Sequence, residues 1–218
     1  MEIMAVSAWI HPPGVYTIRP IRINMRMEST MTDIPVISPA APLQSAPASV
    51  RALGPQDSMA ELTALLHRAY RKQVEMGLRP LAGRQTEEVT RARTSHGECF
   101  VATMGGTSAG AESRLIGTIL FQEKEDARFP GHFLVPGVAH FSLLAVDPDA
   151  QGRGIGHLLL ATVEDRARAL GFTELACSMA EPDEALMRFY LRKGFRFVEH
   201  WQWPYTNYRS AILSRTVS

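Results

Sequence analysis

A glycine-rich turn, placed between an apolar segment and a helix-forming segment, is the part of this sequence best suited to hold an anion. The apolar run 143–146 leads into a turn at Asp147, and Gly152, Gly154 and Gly156 follow before a second apolar-periodic stretch. The first N–H groups of a helix lack intrahelical partners and carry partial positive charge, so they bind phosphate or pyrophosphate. Glycine removes the Cβ atoms that would keep such a ligand away. A phosphate-binding turn is therefore predicted here.

Two other glycine motifs do not fit this turn. A dinucleotide fingerprint requires Gly-x-Gly-x-x-Gly early in a strand-helix-strand unit, with an acidic residue about twenty positions later. Here Gly152, Gly154 and Gly156 alternate and lie deep in the chain, so the third step is wrong. A P-loop requires Gly-Lys-Ser/Thr after the loop, and that tripeptide does not follow. The turn therefore predicts neither of these nucleotide sites.

Two segments resemble the signatures of the GNAT superfamily of N-acetyltransferases. Segment 151–156 fits Gln/Arg-x-x-Gly-x-Gly/Ala, the acetyl-CoA signature of that family. Segment 189–195 closely matches its second signature, because Tyr190 stands four residues before a Gly-Phe pair. The resemblance extends over roughly residues 49–217. It implies an α/β fold: a mixed sheet of six or seven mostly antiparallel strands, with a central splayed parallel pair, flanked by helices.

The resemblance implies that acetyl-CoA is the co-substrate and that no metal takes part. In the family the loop and helix start hold the pyrophosphate, and a backbone N–H of the central strand meets the thioester oxygen. The residues implied to contact the cofactor are Leu144, Ala145, Val146, Gln151, Gly152, Arg153, Gly154, Ile155 and Gly156. The chain departs from the family at Asp183, where many members have an asparagine that binds the cofactor. That contact is left unassigned.

Acetyl transfer to a primary amine by direct attack requires a neutral amine, a stabilised carbonyl oxygen and a protonated leaving thiolate. The resemblance implies Tyr190 as the group that protonates the thiolate. One branch of the family carries a glutamate base eleven residues before the signature, and His140 holds that position here. An imidazole titrates near neutrality, which suits a base. Alternatives for the base are Glu123, Glu125 and Glu181.

The helices expected before the glycine turn have clear start and stop signals. Ser58 and Glu61 have the spacing of a capping box, and an apolar stripe at helical period predicts a helix that ends by Gly77. A second helix is predicted from Thr86 to Gly97. In the family this region borders the acceptor site. Three charged residues there contact either the substrate or solvent: Glu75, Arg79 and Arg84.

Strand patterns around the turn predict the sheet that positions it. A hairpin is predicted from 98–104 and 115–121, followed by a loop that could lie over the substrate. The central strand 139–146, a helix from Gly154 and the strand 173–179 make a right-handed parallel unit. A helix at 183–193 and strands at 195–198 and 208–213 complete the chain. Simple alternation along the central strand predicts His140, Ser142, Leu144 and Val146 on one face and Phe141, Leu143 and Ala145 on the other.

Composition limits the class of protein and its partners. At 218 residues the chain is long enough for one sizeable core. Residues 1–48 are rich in proline and lack apolar periodicity, so they are predicted to be a disordered tail before one domain at 49–218. A formal net charge of +1 gives no strong attraction to nucleic acid or to a membrane surface. Cys99 and Cys177 lie in apolar strands, which suits buried thiols in a reducing, cytoplasmic compartment.

The leading functional prediction is an acetyl-CoA-dependent N-acetyltransferase acting on a small-molecule or peptide amine, with a homodimer as a possible assembly. Two alternatives remain. The first is a catalytically silent module that senses acyl-CoA for a partner. The second is an interaction protein on the same scaffold that binds no cofactor. Retention of Tyr190 and of a polar group at His140 favours the enzyme.

Overall fold

A computed structural model of the chain describes residues 48–105, 113–123 and 128–217. The predicted tail, apart from Ala48, and the alternative base Glu125 lie outside the described residues. The predicted helices and strands fall inside them, whereas the predicted loop before the central strand is described only in part.

The described residues contain a seven-stranded sheet with the strand order β1-β2-β3-β4-β5-β7-β6. Only β4 and β5 are parallel neighbours in it, and every other adjacent pair is antiparallel. The predicted mixed sheet with one parallel pair is therefore confirmed. The strands are β1 Ser49–Ala52, β2 Glu98–Met104, β3 Arg114–Gln122, β4 Val138–Val146, β5 Glu174–Ala180, β6 Arg196–Trp201 and β7 Ser210–Thr216.

Helices cover both faces of this sheet. Helix α4 connects the two parallel strands, and its buried stripe runs through Ile155, Leu159, Val163 and Ala167, as the sequence predicts. Leu170 does not extend that stripe, since it lies beyond the helix and is 38% exposed. The helices are α1 Met59–Ala69, α2 Arg71–Glu75, α3 Glu87–Thr94, α4 Ile155–Ala169 and α5 Glu184–Arg192.

The predicted helix 59–76 is interrupted at Tyr70, which ends α1 and precedes α2. Ser58 caps α1 as predicted, because its side chain accepts a hydrogen bond from the backbone N–H of Glu61. The Glu61 carboxylate does not complete the capping box. It accepts instead from the backbone N–H of Leu115 at 3.1 Å, so it joins α1 to β3.

Strands β4 and β5 pair only along their first halves. The last paired residues are Phe141 and Cys177, although β4 continues to Val146 and β5 to Ala180. Beyond that pair the two strands no longer share a ladder. The splayed parallel pair expected from the resemblance is therefore present.

A bulge in β4 corrects the predicted alternation of its side chains. Leu143 has a φ of 53°, and between Ser142 and Ala145 the strand has one residue more than its partner β3. The extra residue reverses the faces from Leu143 onward. Leu143 and Ala145 pack with residues of α1, whereas Leu144 and Val146 pack against the α4 side of the core.

Candidate active site

A cleft of about 980 Å³ opens where β4 and β5 separate. Its walls include the second half of β4, residues 178–180 of β5, the glycine turn and the first turn of α4. Helix α5 lines it with Phe189 and Tyr190, and α1, α2 and the loop before β7 close the other end. The volume lies within the usual range for small-molecule sites.

The glycine turn leaves open space where the sequence predicts a pyrophosphate. Gly152 and Gly154 have φ values of 76° and 80°, which favour glycine, and a Cβ built on either would meet no atom within 4 Å. Gly154 caps α4 without a side-chain hydrogen bond. The first α-helical bond to its carbonyl comes from Leu158, so the N–H groups before that residue face no helical acceptor. The turn fits a bound phosphate group.

Asp147 holds this turn against the rest of the fold. Its carboxylate is 1% exposed and accepts from Arg68 at 2.8 Å and from Arg114 at 2.8 Å. It also accepts from the backbone N–H of Asp149 at 3.1 Å. Burial alone would raise the pKa of Asp147, but the hydrogen bonds from Arg68 and Asp149 and the nearby arginine charges outweigh burial and lower it.

All but one of the predicted cofactor residues line the cleft. Leu144, Ala145, Val146, Gln151, Gly152, Gly154, Ile155 and Gly156 lie on its wall. The Gln151 amide nitrogen lies 3.4 Å from the Val146 carbonyl oxygen, which it can donate to. Arg153 does not line the cleft, and its guanidinium lies 3.9 Å from the Met104 sulfur.

Two basic side chains flank the start of α4. His157 and Lys193 both line the cleft, and the Lys193 Nζ lies 3.2 Å from the His157 Nδ1. Both are exposed or half-buried. The Lys193 ammonium places positive charge beside the phosphate-binding turn, and its N–H donates to the His157 ring nitrogen.

Tyr190 lies on the cleft wall with 5% of its surface exposed. Its ring packs edge-on to Phe189 and Phe195, with both centroids 5.3 Å away. Burial is the main cause that raises the pKa of Tyr190 well above its ordinary value, and the neighbouring Cys177 adds to it. The phenol therefore stays protonated near neutral pH, as a proton donor must.

His140 does not line the cleft. It is 2% exposed and stacks on Phe133, with ring centroids 4.3 Å apart. The ring centroid of Phe129 lies 6.3 Å from that of His140 and 5.5 Å from that of Trp203. Trp203 does line the cleft. The described part of the loop before β4 therefore covers His140 and does not extend over the cleft.

Two of the carboxylates named as alternative bases, Glu123 and Glu181, also lie off the cleft wall. Glu181 is bound to Arg209 at 2.6 Å and lies near His200. The hydrogen bond from Arg209 is the main cause that lowers the pKa of Glu181. Glu123 is exposed just past the end of β3.

Asp183, where the sequence departs from the family, has a structural role in this fold. It caps α5 by accepting from the backbone N–H of Leu186 at 3.1 Å. Its other oxygen accepts from the Gln73 amide at 3.0 Å, which ties α2 to α5 across the cleft. Both Asp183 and Gln73 line the cleft.

The far end of the cleft is aromatic and basic, which the sequence did not single out residue by residue. Tyr70, Trp203, Tyr205 and Tyr208 line it together with Arg93. The hydroxyl of Tyr70 lies 3.5 Å from the Leu144 carbonyl at the β4 bulge, and the break between α1 and α2 places it there. The signal available in the sequence was the dense aromatic run 201–208.

The loop before β7 is fastened to the segment after α2, so the far end of the cleft has a fixed shape. The side chain of Asn207 accepts from the backbone N–H of Arg79 at 2.7 Å and donates to the Gly77 carbonyl at 2.9 Å. Arg84 donates to the Tyr205 carbonyl at 2.7 Å. Arg79 and Arg84 thus hold this loop, while Glu75 lines the cleft itself.

A cleft between splayed parallel strands, lined by a glycine turn and a helix N-terminus, is the arrangement that the resemblance to the GNAT family implies. The chain belongs to the acetyltransferase (GNAT) family, whose model matches residues 59–195. The family resemblance identified from the two sequence signatures is therefore confirmed.

Individual relatives show how far the likeness extends. A segment of 64 residues, 29% of this chain, is 36% identical to mycothiol acetyltransferase of Mycobacteroides abscessus and spans 22% of that protein. The ribosomal-protein-S18-alanine N-acetyltransferase of Escherichia coli superposes with a TM-score of 0.54 at 19% identity, over 78% of this chain and 94% of that one. A GNAT acetyltransferase of Staphylococcus aureus Mu50 gives 0.58 at 12% identity, over 79% and 100%. At such identities the structural likeness shows a common fold.

Neither a membrane-spanning helix nor a metal-binding cluster is found in the part of the chain that the structure describes. No helix there is long and apolar enough to cross a membrane. The same residues include no group of three or more His, Cys, Asp or Glu side chains arranged to hold a metal ion. Cys99 and Cys177 are both free and buried, as predicted, and burial raises the pKa of the Cys99 thiol to about 11.

Proposed function

We propose that the protein is an N-acetyltransferase that moves the acetyl group of acetyl-CoA to a primary amine in a ternary complex, without a metal. The observation that carries the proposal is the position of the glycine turn. Its open positions at Gly152 and Gly154 lie in the same cleft as the splayed backbone of β4 and the protonated phenol of Tyr190. Family membership supports acyl transfer as the reaction.

Residues of the turn would hold the phosphates of the cofactor. The N–H groups at the start of α4 donate to the pyrophosphate, and Gly152, Gly154 and Gly156 let it approach. Lys193, which donates to His157, adds positive charge on the same side. Bound acetyl-CoA supplies the acetyl group as a thioester, with its carbonyl beside the unpaired edge of β4.

Two parts of this chain would act on the reacting atoms. A backbone N–H of Leu144 or Val146 donates to the thioester oxygen as that oxygen gains charge, because β4 has no β5 ladder there. When the amine nitrogen bonds to the carbonyl carbon and the C–S bond breaks, Tyr190 gives its proton to the leaving sulfur. The buried phenol is protonated before this step.

For the base we propose His140 acting through water. Direct contact with the amine is not possible, because His140 is covered by Phe133 and lies off the cleft wall. Ser142 lies on the same face two residues later and does line the cleft. Its hydroxyl donates to Gln122, the residue that pairs with His140 across β3 and β4. A water beside Ser142 would connect the amine to His140.

The domain bounds, the compartment, the acceptor and the assembly of the protein are also proposed. We propose a single catalytic domain at residues 49–218 that works in the cytoplasm on a small-molecule or peptide amine, with no role for nucleic acid or a membrane. A homodimer is the proposed assembly. The names mycothiol acetyltransferase and ribosomal-protein-S18-alanine N-acetyltransferase indicate different kinds of acceptor. These two relatives therefore support the reaction class and not a particular amine.

A thermal melting scan with acetyl-CoA separates the enzyme from its alternatives. A ligand that binds only the folded state raises the melting midpoint with ligand concentration. We expect this rise with acetyl-CoA and with free CoA. An interaction protein on the same scaffold would show neither. A silent sensor would show the rise but no release of free CoA thiol when a library of amines is added.

A further inference from the structure

Arg93 is a cationic side chain of the cleft that the proposed chemistry does not use. It lies in the last turn of α3 and lines the aromatic end of the cleft. One hydrogen bond fixes it: its Nη1 donates to the Gln85 side-chain oxygen at 2.7 Å. Gln85 is itself 3% exposed and is held by Thr90, to which its amide nitrogen donates at 2.8 Å. The guanidinium is therefore positioned through a buried polar network.

No carboxylate neutralises Arg93 among residues 48–105, 113–123 and 128–217. Besides burial, the groups that affect the pKa of Arg93 are the phenols of Tyr205, Tyr70 and Tyr208, which are near enough to raise it. Burial lowers the pKa of Arg93 from its ordinary value, yet an arginine remains charged at any physiological pH. Arg93 is half-buried, and its fork of donors matches a carboxylate.

The acidic residues of the same cleft do not supply this anion. Asp183 already accepts from Gln73 and from the backbone of Leu186. Glu75 is exposed at the rim. The proposed site for the phosphates of the cofactor is at the start of α4, whereas Arg93 lies on α3. An anion that meets Arg93 therefore arrives with the acceptor.

We propose that the acceptor is an amine that also carries a carboxylate, such as an amino acid, and that Arg93 binds this carboxylate within the pocket formed by Tyr70, Tyr205 and Tyr208. This inference rests on the proposed function. The tyrosine rings provide an apolar wall for the carbon skeleton, and the bidentate pair fixes its orientation. The amine then points along the cleft toward the splayed end of β4, where the proposed thioester lies.

The test compares amine acceptors that differ only in the carboxylate. A panel of α-amino acids is assayed for acetyl transfer beside the matching α-carboxamides, with acetyl-CoA saturating. We expect the best amino acid to exceed its carboxamide at least tenfold in kcat/KM. In Arg93→Gln that preference should disappear, and Arg93→Lys should keep part of it, because a lysine retains charge but not the bidentate fork.

Arg91→Gln is the matched control on the same helix. Arg91 is exposed and pairs with Glu87 one turn earlier, so its loss should leave the preference unchanged. The affinity for acetyl-CoA, measured by calorimetry in each variant, should also stay at the wild-type value. Wild-type affinity in Arg93→Gln shows in addition that this variant is folded.

Several outcomes would overturn the inference. One is equal use of acids and carboxamides by the wild type, and another is an acid preference that survives Arg93→Gln. The third is a large loss of acetyl-CoA affinity in Arg93→Gln, which would assign Arg93 to the cofactor. If acetyl transfer occurred to the carboxamides but to no amino acid, the inference would be wrong and the proposed function would be unaffected. Failure of the wild type to bind acetyl-CoA would remove the proposed function and this inference together.

Discussion

Gly154 and Gly171 lie at the two ends of α4 and share a φ of 80°, and a Cβ on either would meet no atom within 4 Å. Only Gly154 lines the cleft. Both positions impose backbone strain on any residue other than glycine. Only Gly154 also faces the space that a bound phosphate would need. Substitutions at the two positions therefore distinguish strain from loss of that space.

We expect Gly154→Ala and Gly171→Ala to destabilise the fold by similar amounts, about 1–2 kcal/mol, because each forces an alanine into the left-handed region. Calorimetry should show that only Gly154→Ala weakens acetyl-CoA binding, by roughly tenfold or more, which corresponds to about 1.4 kcal/mol. Equal affinity in the two variants would remove the glycine turn from the cofactor site.

Tyr190→Phe keeps the ring and its packing but removes the proton donor. We expect kcat to fall roughly ten- to thousandfold, as for other losses of general acid catalysis, with acetyl-CoA affinity nearly unchanged. Wild-type turnover in Tyr190→Phe would show that the Tyr190 ring contributes packing and that its hydroxyl is not the proton donor.

Asp147→Asn should destabilise the protein at neutral pH by about 2 kcal/mol, because two arginines lose a charged acceptor. A carboxylate whose pKa is lowered by folding contributes stability above its unfolded-state pKa, about 3.9, and loses it as the pH falls through the folded-state value. The gap in melting midpoint between wild type and variant should therefore close below about pH 4.

Asp149→Asn provides the control for this effect. Asp149 stands in the same turn, but its side chain is 74% exposed and its distance to Arg114 is 3.8 Å. Exposed pairs of this kind contribute little to stability. A gap between Asp147→Asn and wild type that persists unchanged at acid pH would show that the charge of Asp147 is not what stabilises the turn.

His140→Gln tests the base. If His140 takes the proton of the amine through water, its loss should remove the acidic limb of the pH profile of kcat/KM while Tyr190→Phe still lowers turnover. His157→Gln removes a histidine that does line the cleft and should keep that limb. A wild-type profile in His140→Gln, with the limb lost in Glu123→Gln or Glu181→Gln, would assign the base to a carboxylate.

Local patterns predicted the sheet and its central motif well. Strand β2 has the bounds that the sequence predicts, 98–104, because glycines flank an unbroken β-prone run. The glycine turn and the start of α4 also lie as predicted, since Gly152 and Gly154 adopt the left-handed conformation that other residues avoid. Such features depend on residues that are close together in the sequence, so local sequence patterns predict them.

Features that depend on distant partners could not be predicted in this way. The bulge at Leu143 reverses two faces of β4 because of its pairing with β3, which no local pattern encodes. Arg93 enters the cleft through a contact with Gln85 and faces tyrosines from two remote segments. His140, the predicted base, does not line the cleft, because Phe133 covers it.

Release of free CoA from acetyl-CoA, measured with and without added amines, tests the proposed reaction most directly. Mass spectrometry of the same mixture identifies the N-acetylated product. The account predicts thiol release that depends on an amine acceptor, a product heavier by one acetyl group, and a strong reduction of both in Tyr190→Phe. Binding of acetyl-CoA without amine-dependent release for any amine in a broad library would contradict it and favour a sensor.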